Sequence, residues 1–331
     1  MIEQYLGIKN STRDLSDEKF LELLPQLAEE LANIDYTITY SDSELRKDWA
    51  KLIDYIPSSS KSSSSVRVGM KLCEHFFPNF YDIQNNKGDS FKKFWTADKL
   101  QKVLTWNRKS HSTPYLSELR RGVYFCNGLT KNTMFRPHLA KIVSRSFDST
   151  RTLDPCCGWG GRMIGTVSSG AHYIGFDPNP ETFANLKRLA EFLNIENMVT
   201  LINDGAENMN KYDFDDVDVV LTSPPYFNLE VYHNGKQQSE NNHDSYVSWR
   251  DNWLNVVIKN ATDRLTEDGH SCWNVHNIGK MKLIDDVETI HNELGFHHEC
   301  DFSLSSSARQ SNQDATKNKK NNDLTRVFNK Q

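Results

Sequence analysis

The sequence predicts an α/β fold: a mostly parallel sheet with helices on both faces, preceded by a mainly helical N-terminal region. Three observations carry that expectation. From about residue 150 short apolar strands alternate with amphipathic helices, the pattern of a parallel sheet covered on both sides. The first strand runs into a glycine-rich turn. Acidic residues stand at the ends of the first three strands, at Asp154, Asp177 and Asp204.

A chain of 331 residues suggests about two domains, and the change of pattern divides it into residues 1–130 and 131–331. The composition, 37% hydrophobic and 25% charged, is ordinary for a soluble globular protein. No apolar run approaches the roughly 20 residues that a spanning helix needs, and the N-terminus lacks a signal pattern. An intracellular, cytoplasmic protein with no membrane partner is therefore expected. The six cysteines, at 73, 126, 156, 157, 272 and 300, form no CxxC pair and no zinc-type spacing, so buried free thiols are expected in place of disulfides or a metal.

Element by element, "SDEKFLELLPQLAEELANI" (16–34) has helical spacing at Phe20, Leu23, Leu27 and Leu31, opens on a capping Ser-Asp, and should kink at Pro25. "PSSSKSSSSVR" (57–67) reads as a flexible loop or an ordered phosphate-binding loop. Between Lys92 and Arg121 eight bases face two acids, a local basic patch within a chain of net charge −5. Lys92, Lys93, Arg108, Lys109, Arg120 and Arg121 are candidate phosphate contacts, interleaved with Phe91, Phe94, Trp95, Trp106 and Tyr115 that could stack on bases. A solvated helix whose aromatics form core explains any single one of them equally well.

"TLDPC", "AHYIGFD", "VTLIND", "DVDVVLT" and "HSCWNV" are the expected strands, with "NPETFANLKRLAEFLN" and "SYVSWRDNWLNVVIKNATDRL" as helices between them. "HHECDFSLS" and "DLTRVFNK" should close the sheet as an antiparallel pair around an exposed loop, "ARQSNQDATKNKKNN". In "TLDPCCGWGGRMIG" (152–165) Gly158, Gly160 and Gly161 let main-chain N–H groups approach a ligand. Met163 replaces the third glycine of the dinucleotide fingerprint, which disfavours NAD. Asp177 at a strand tip suits a ribose diol, with Asn179 and Pro180 as helix cap and first helical position. Asp204 suits the amino edge of an adenine.

This layout resembles the S-adenosylmethionine-dependent methyltransferases. The resemblance covers roughly residues 130–331. It implies the class I, Rossmann-like, seven-stranded sheet and S-adenosylmethionine as cofactor. It also implies Phe135 and Pro137, Asp154, Cys156 and the 158–161 turn at the methionine end, Asp177 and Pro178 at the ribose, and Asp204, Gly205 and Ala206 at the adenine.

After the fourth strand, "TSPPY" resembles the catalytic motif of DNA amino-methyltransferases. An exocyclic amine is a poor nucleophile because its lone pair is delocalised into the ring. Ser223 and the Pro224 carbonyl could hold its two hydrogens and make it pyramidal, with Pro225 stiffening the turn and Tyr226 stacking on an extruded base. A proline strand stop with a core tyrosine is the plainer alternative. No cysteine follows this strand, so nitrogen is favoured over carbon-5 of cytosine. The leading serine leans toward cytosine N4 in DNA, with adenine N6 next. RNA or protein-glutamine amines, or a non-catalytic binding protein, stand as further alternatives. Only some 65 residues separate the glycine turn from "TSPPY", so target recognition falls to the first 150 residues. "FNLEVYHNGKQQSENNHDSY" (227–246) reads as a lid or a surface insertion, with His233 and His243 solvated.

Overall fold

The computed structural model describes residues 1–56, 61–63, 66–129, 132–227, 230–232, 238–279, 281–305 and 323–330. In chain order the helices are α1 (Asp17–Ala32), α2 (Asp42–Asp54), α3 (Met70–Phe76), α4 (Phe91–Phe94), α5 (Ala97–Lys109) and α6 (Leu116–Asn127), then α7 (Pro137–Ser146), α8 (Gly161–Val167), α9 (Pro180–Leu193), α10 (Tyr246–Trp249), α11 (Asn255–Thr262) and α12 (Leu283–Glu293). The strands are β1 (Lys61–Ser63), β2 (Gln84–Asn85), β3 (Arg151–Asp154), β4 (His172–Phe176), β5 (Val199–Ile202), β6 (Val217–Thr222), β7 (Glu230–Val231), β8 (Leu265–Val275), β9 (Phe296–Ser305) and β10 (Asp323–Lys330).

Contacts divide the chain into two interleaved units. The first is helical: Met1–Ile38, Pro78–Thr133 and the short β7. Its core holds Leu27, Leu31, Leu100, Val103, Leu119 and Val123, the apolar stripes of α1, α5 and α6. Ser16 caps α1 by accepting from the Lys19 N–H at 3.2 Å, and the helix runs through Pro25. β2 pairs antiparallel with β7.

The second unit carries the sheet, in the order β1-β9-β10-β8-β6-β3-β4-β5. β10 runs antiparallel to both β8 and β9, and the other pairings are parallel. Seven of these strands make the class I methyltransferase sheet expected from the sequence. The eighth, β1, comes from the serine-rich stretch read as a loop. An edge strand needs only a one-sided ladder of main-chain hydrogen bonds, and residues 61–63 pair with 303–305. Residues 39–77, on the N-terminal side of the 130/131 boundary read from sequence, belong to this unit. Leu45, Leu52, Leu72, Phe76 and Phe77 from them share a core with Met163 and Ile164 of α8 and Leu186 and Leu189 of α9. Buried Lys141 donates to the Leu52 carbonyl at 2.7 Å and so satisfies the last turn of α2.

The long helix expected over "SYVSWRDNWLNVVIKNATDRL" forms as α10 and α11 joined by a π-helical turn, Arg250–Leu254. In the candidate lid, residues 228–229 and 233–237 lie outside the described residues, and His233 with them. The loop "ARQSNQDATKNKKNN" (308–322) lies outside them too. His243 Nδ1 sits 3.3 Å from Ser248 Oγ.

Candidate active site at the β3/β6 switch point

Strand order reverses between β3 and β6, since β4 and β5 extend the sheet one way and β8 the other. In open α/β sheets ligands bind outside the carboxyl ends of the strands at such a point. The glycine turn leaves β3 here, and Ser223-Pro224-Pro225-Tyr226 leaves β6.

Asp154, fully buried, joins the two turns. Its carboxylate accepts from Arg162 Nε at 2.7 Å, from the Tyr173 hydroxyl at 2.7 Å, from the Thr222 hydroxyl at 2.8 Å and from the Cys156 N–H at 3.1 Å. Arg162 is itself buried, donates to the Cys156 carbonyl, and lies with its guanidinium 5.1 Å from the Phe135 ring. The resemblance places Asp154 against a methionine group. Both oxygens of this carboxylate accept hydrogen bonds inside the protein, and through them it positions the turn.

The glycines divide by role. Gly158 has φ +56°, and a Cβ there would make only ordinary contacts, with Arg162 and the Cys156 carbonyl at 3.9 Å, so the position needs glycine for its left-handed backbone and not for close packing. A Cβ on Gly161 would stand 2.3 Å from the Phe135 carbonyl, and one on Gly165 2.2 Å from the Pro137 carbonyl. Those two glycines let α8 close onto α7, the packing role that the missing third glycine of the dinucleotide fingerprint would have served. Cys157 is buried, and burial raises the Cys156 and Cys157 thiols, so neither is a nucleophile.

Asp177, 8% exposed, accepts from the Gly158 N–H at 3.0 Å and the Asn179 N–H at 3.0 Å. Burial pushes its pKa up to about 7 against those hydrogen bonds. A buried carboxylate with two donors has room for two more, which a ribose diol would supply. That is the fit expected for an adenosyl cofactor. Asn179 caps α9 through the Glu181 N–H, and Pro178 is half-buried beside it. Asn203 ties the β5 tip to this one, donating to the Asp177 carbonyl at 2.8 Å.

Asp204 is more committed than its sequence reading implies. It accepts from the Gly205 N–H, Asn208 and the Tyr212 hydroxyl at 2.7–2.9 Å. Burial pushes its pKa up, but these bonds outweigh it and hold the carboxyl below its usual range. Gly205 is buried, and Ala206 packs into the core beside Trp253 and Phe176.

Ser223 is half-buried, and its hydroxyl has no hydrogen-bond partner among the described residues. Tyr226 packs on the core and shares a 2.8 Å hydrogen bond with His276 Nδ1, their rings 4.5 Å apart. Phe227 then takes φ +46°, a left-handed conformation costing roughly 1–3 kcal/mol in a bulky residue. It persists because the ring is buried near Trp249 and Tyr246. The proline turn is thus held at both ends, by Thr222 on Asp154 and by Phe227 in the core. Sequence reading missed Arg162, Tyr173, Thr222 and His276. The one signal was Arg162, a charge inside the apolar helix "GRMIGTV".

The basic patch divides likewise. Arg108 donates to Asp17 at 2.6 Å and to the Thr12 and Leu15 carbonyls at 2.9 and 2.7 Å, so it clamps the N-terminus and leaves the candidate phosphate set. Lys92 pairs with Asp82 at 3.1 Å, Lys93 caps the Gly88 carbonyl, and Arg120 donates to the Tyr36 carbonyl at 3.2 Å. Lys109 is exposed, while Arg121 pairs with Glu118 yet lies over the Trp106 and Phe125 rings. Phe91 and Trp95 are core residues.

Residues 149–246 match the family described as RNA cap guanine-N2 methyltransferase. No curated protein matches the chain. Among solved structures it is similar to a candidate rRNA methylase from Clostridium thermocellum, at 19% identity and TM-score 0.41, covering 60% of this chain and 98% of that one. It is similar to TrmN from Thermus thermophilus at 15% identity and TM-score 0.41, covering 59% of this chain and 49% of that one. A third is the SAH-bound methyltransferase PaMTH1 of Podospora anserina, at 12% identity and TM-score 0.38, covering 61% and 80%. Among the described residues no helix is long and apolar enough to cross a membrane.

Proposed function

We propose that this chain transfers a methyl group from S-adenosylmethionine to the exocyclic amino group of a nucleobase in a polynucleotide. One observation carries the reading: the Ser-Pro-Pro-Tyr turn leaves β6 at the switch point, bonded through Thr222 to the Asp154 that also fixes the glycine turn. Two turns that must meet in one reaction share one buried carboxylate.

S-adenosylmethionine, when bound, supplies an electrophilic methyl on a sulfonium. Asp177 accepts the ribose hydroxyls, and Gly158, whose N–H donates to the same carboxylate, carries the turn beside the adenosyl chain. The Ser223 hydroxyl and the Pro224 carbonyl accept the two amine hydrogens, which turns the nitrogen lone pair out of conjugation. Pro225 and the strained Phe227 keep those acceptors aimed, so little reorganisation is left for the reaction. His276 holds the Tyr226 hydroxyl and with it the angle of the ring that packs on the base. After transfer the nitrogen gives up a proton, and the half-exposed Ser223 offers it a route to water.

Two finer readings follow from different observations. The leading serine favours cytosine N4 in DNA, with adenine N6 next. The family match over 149–246 favours guanine N2 in RNA. Label transfer from tritiated cofactor to DNA and to RNA, followed by nucleoside digestion, tests both. Label is expected in an N-methylated nucleoside. 5-Methylcytosine, or label in protein alone, would overturn the reading. Ser223→Ala should lower kcat by about 10–100-fold, the 1–3 kcal/mol of one unmade hydrogen bond, with cofactor affinity unchanged. Tyr226→Ala should likewise lose turnover far more than cofactor binding.

A further inference from the structure

The helical unit contains a cavity of about 140 Å³. Phe91 and Leu129, both buried, are among the residues that line it. Tyr124 forms a wall, its ring 5.3 Å from that of Phe91. Lys87 is exposed at the mouth, and half-buried Asp89 lines the side. Apolar side chains lining a cavity together with a few polar groups are the makings of a ligand site.

The polar groups are unspent. Among the described residues the Tyr124 hydroxyl, the Asp89 carboxylate and the Lys87 ammonium have no hydrogen-bond or ion-pair partner. Burial raises the Tyr124 phenol, which keeps it a neutral donor. The loop that carries the other two is fixed in advance. The Asn85 side chain accepts from the Lys87 and Asp89 N–H groups at 2.9 and 3.0 Å, and the Asn85 N–H returns to the Asp89 carbonyl at 2.9 Å.

We propose that this cavity recognises a cytosine of the polynucleotide, apart from the base that is methylated. The proposal rests on the polynucleotide substrate inferred above. Size selects one ring, because cavities of about 150 Å³ admit benzene. The aromatic side chains take its faces. Asp89 accepts from the cytosine amino group, the pairing that carboxylates make with that base, whereas uracil and thymine would present a carbonyl to it. Tyr124 donates to the ring nitrogen or carbonyl, and Lys87 meets a backbone phosphate.

The test is fluorescence anisotropy with the full chain, using labelled random oligonucleotide pools, DNA and RNA, made with and without cytosine. The cytosine-containing pool should bind at least about tenfold tighter, the 1–3 kcal/mol typical of one good base contact. Asp89→Ala should erase that preference while leaving S-adenosylmethionine affinity by calorimetry unchanged, and Asp89→Glu should retain part of it. Tyr124→Phe, which removes one oxygen, should weaken it several-fold. Equal binding of the pools, or a preference that survives Asp89→Ala, overturns the proposal. So does cytidine monophosphate binding as tightly as the pools, which would make the cavity a free-nucleotide site. None of these readings needs methyl transfer. A cytosine preference without any transfer sinks the proposed reaction alone, and transfer without a preference sinks this site alone.

Discussion

A carboxyl that is almost wholly buried yet short of donors, as Asp177 is, ties cofactor affinity to pH. Its folded pKa stands near 7 against an ordinary 3.8. Between those values the folded state binds more protons than the unfolded one, so the ligand-free chain loses stability as pH rises from 4 to 7 and then levels. The ribose contact proposed for Asp177 needs the ionised form. The cofactor's Kd should therefore rise about tenfold per pH unit below 7 and flatten above, one proton being linked to binding. Calorimetry from pH 5.5 to 8.5 checks this, and Asp177→Asn should bind weakly with no pH slope. A flat wild-type profile would remove Asp177 from the ribose site. Arg162 makes a second test at the same scale. Arg162→Met strands the buried Asp154 charge and should cost about 3–5 kcal/mol, while adding Asp154→Asn recovers much of it. Urea melts of the two variants decide. The strand-tip acids were legible in the sequence because position along a strand was enough to find them. The roles of Asp154 and Asp204 were not, because what a carboxylate faces depends on partners such as Thr222 and Tyr212, distant in sequence or reached only by a turn.

At the scale of elements the alternation of strand and helix was readable because burial on both faces leaves short apolar runs, as "VVL" in "DVDVVLT". The β1 edge was hidden because a serine-rich strand has no apolar pattern, only backbone to pair. The glycine run was readable as a turn, but not the division of labour within it. Gly158 serves by its left-handed backbone, while Gly161 and Gly165 are where α8 lies against the backbone of the chain entering α7. Gly165→Ala should therefore push Pro137 and α7 away at a cost of about 1–3 kcal/mol, as overpacked cores do. Gly158→Ala should cost the fold about 1–2 kcal/mol through its left-handed backbone. It should also weaken cofactor binding, which Gly165→Ala should not do beyond its effect on stability. Paired thermal melts and cofactor titrations separate the two. Equal effects would mean that both glycines serve packing.

For the whole molecule the informative feature is that residues 39–77 belong to the sheet unit although they precede most of the helical one. A boundary read from composition at 130/131 follows the change of pattern, but a core follows apolar contacts, and these cross it. Leu45, Leu52, Leu72, Phe76 and Phe77 are buried at 0–5% exposure against α8 and α9. Full burial of such a side chain is worth roughly 1.5–3 kcal/mol, so five of them are comparable to the roughly 5–15 kcal/mol by which a typical domain is stable at all. The fragment 131–331 should accordingly fail to fold, showing a collapsed near-UV dichroism spectrum, dye binding to exposed apolar surface and no cooperative melt. Supplying residues 39–77 on the same chain through a flexible linker should restore a cooperative transition, and with it the cofactor binding proposed at Asp177. If 131–331 alone melted cooperatively and bound the cofactor, α2 and α3 would be a cover on a finished core and not part of it. The expected failure follows from packing on α8, the helix that opens directly from the glycine turn, so loss of those five side chains removes the support beneath the cofactor site as well as the stability of the sheet.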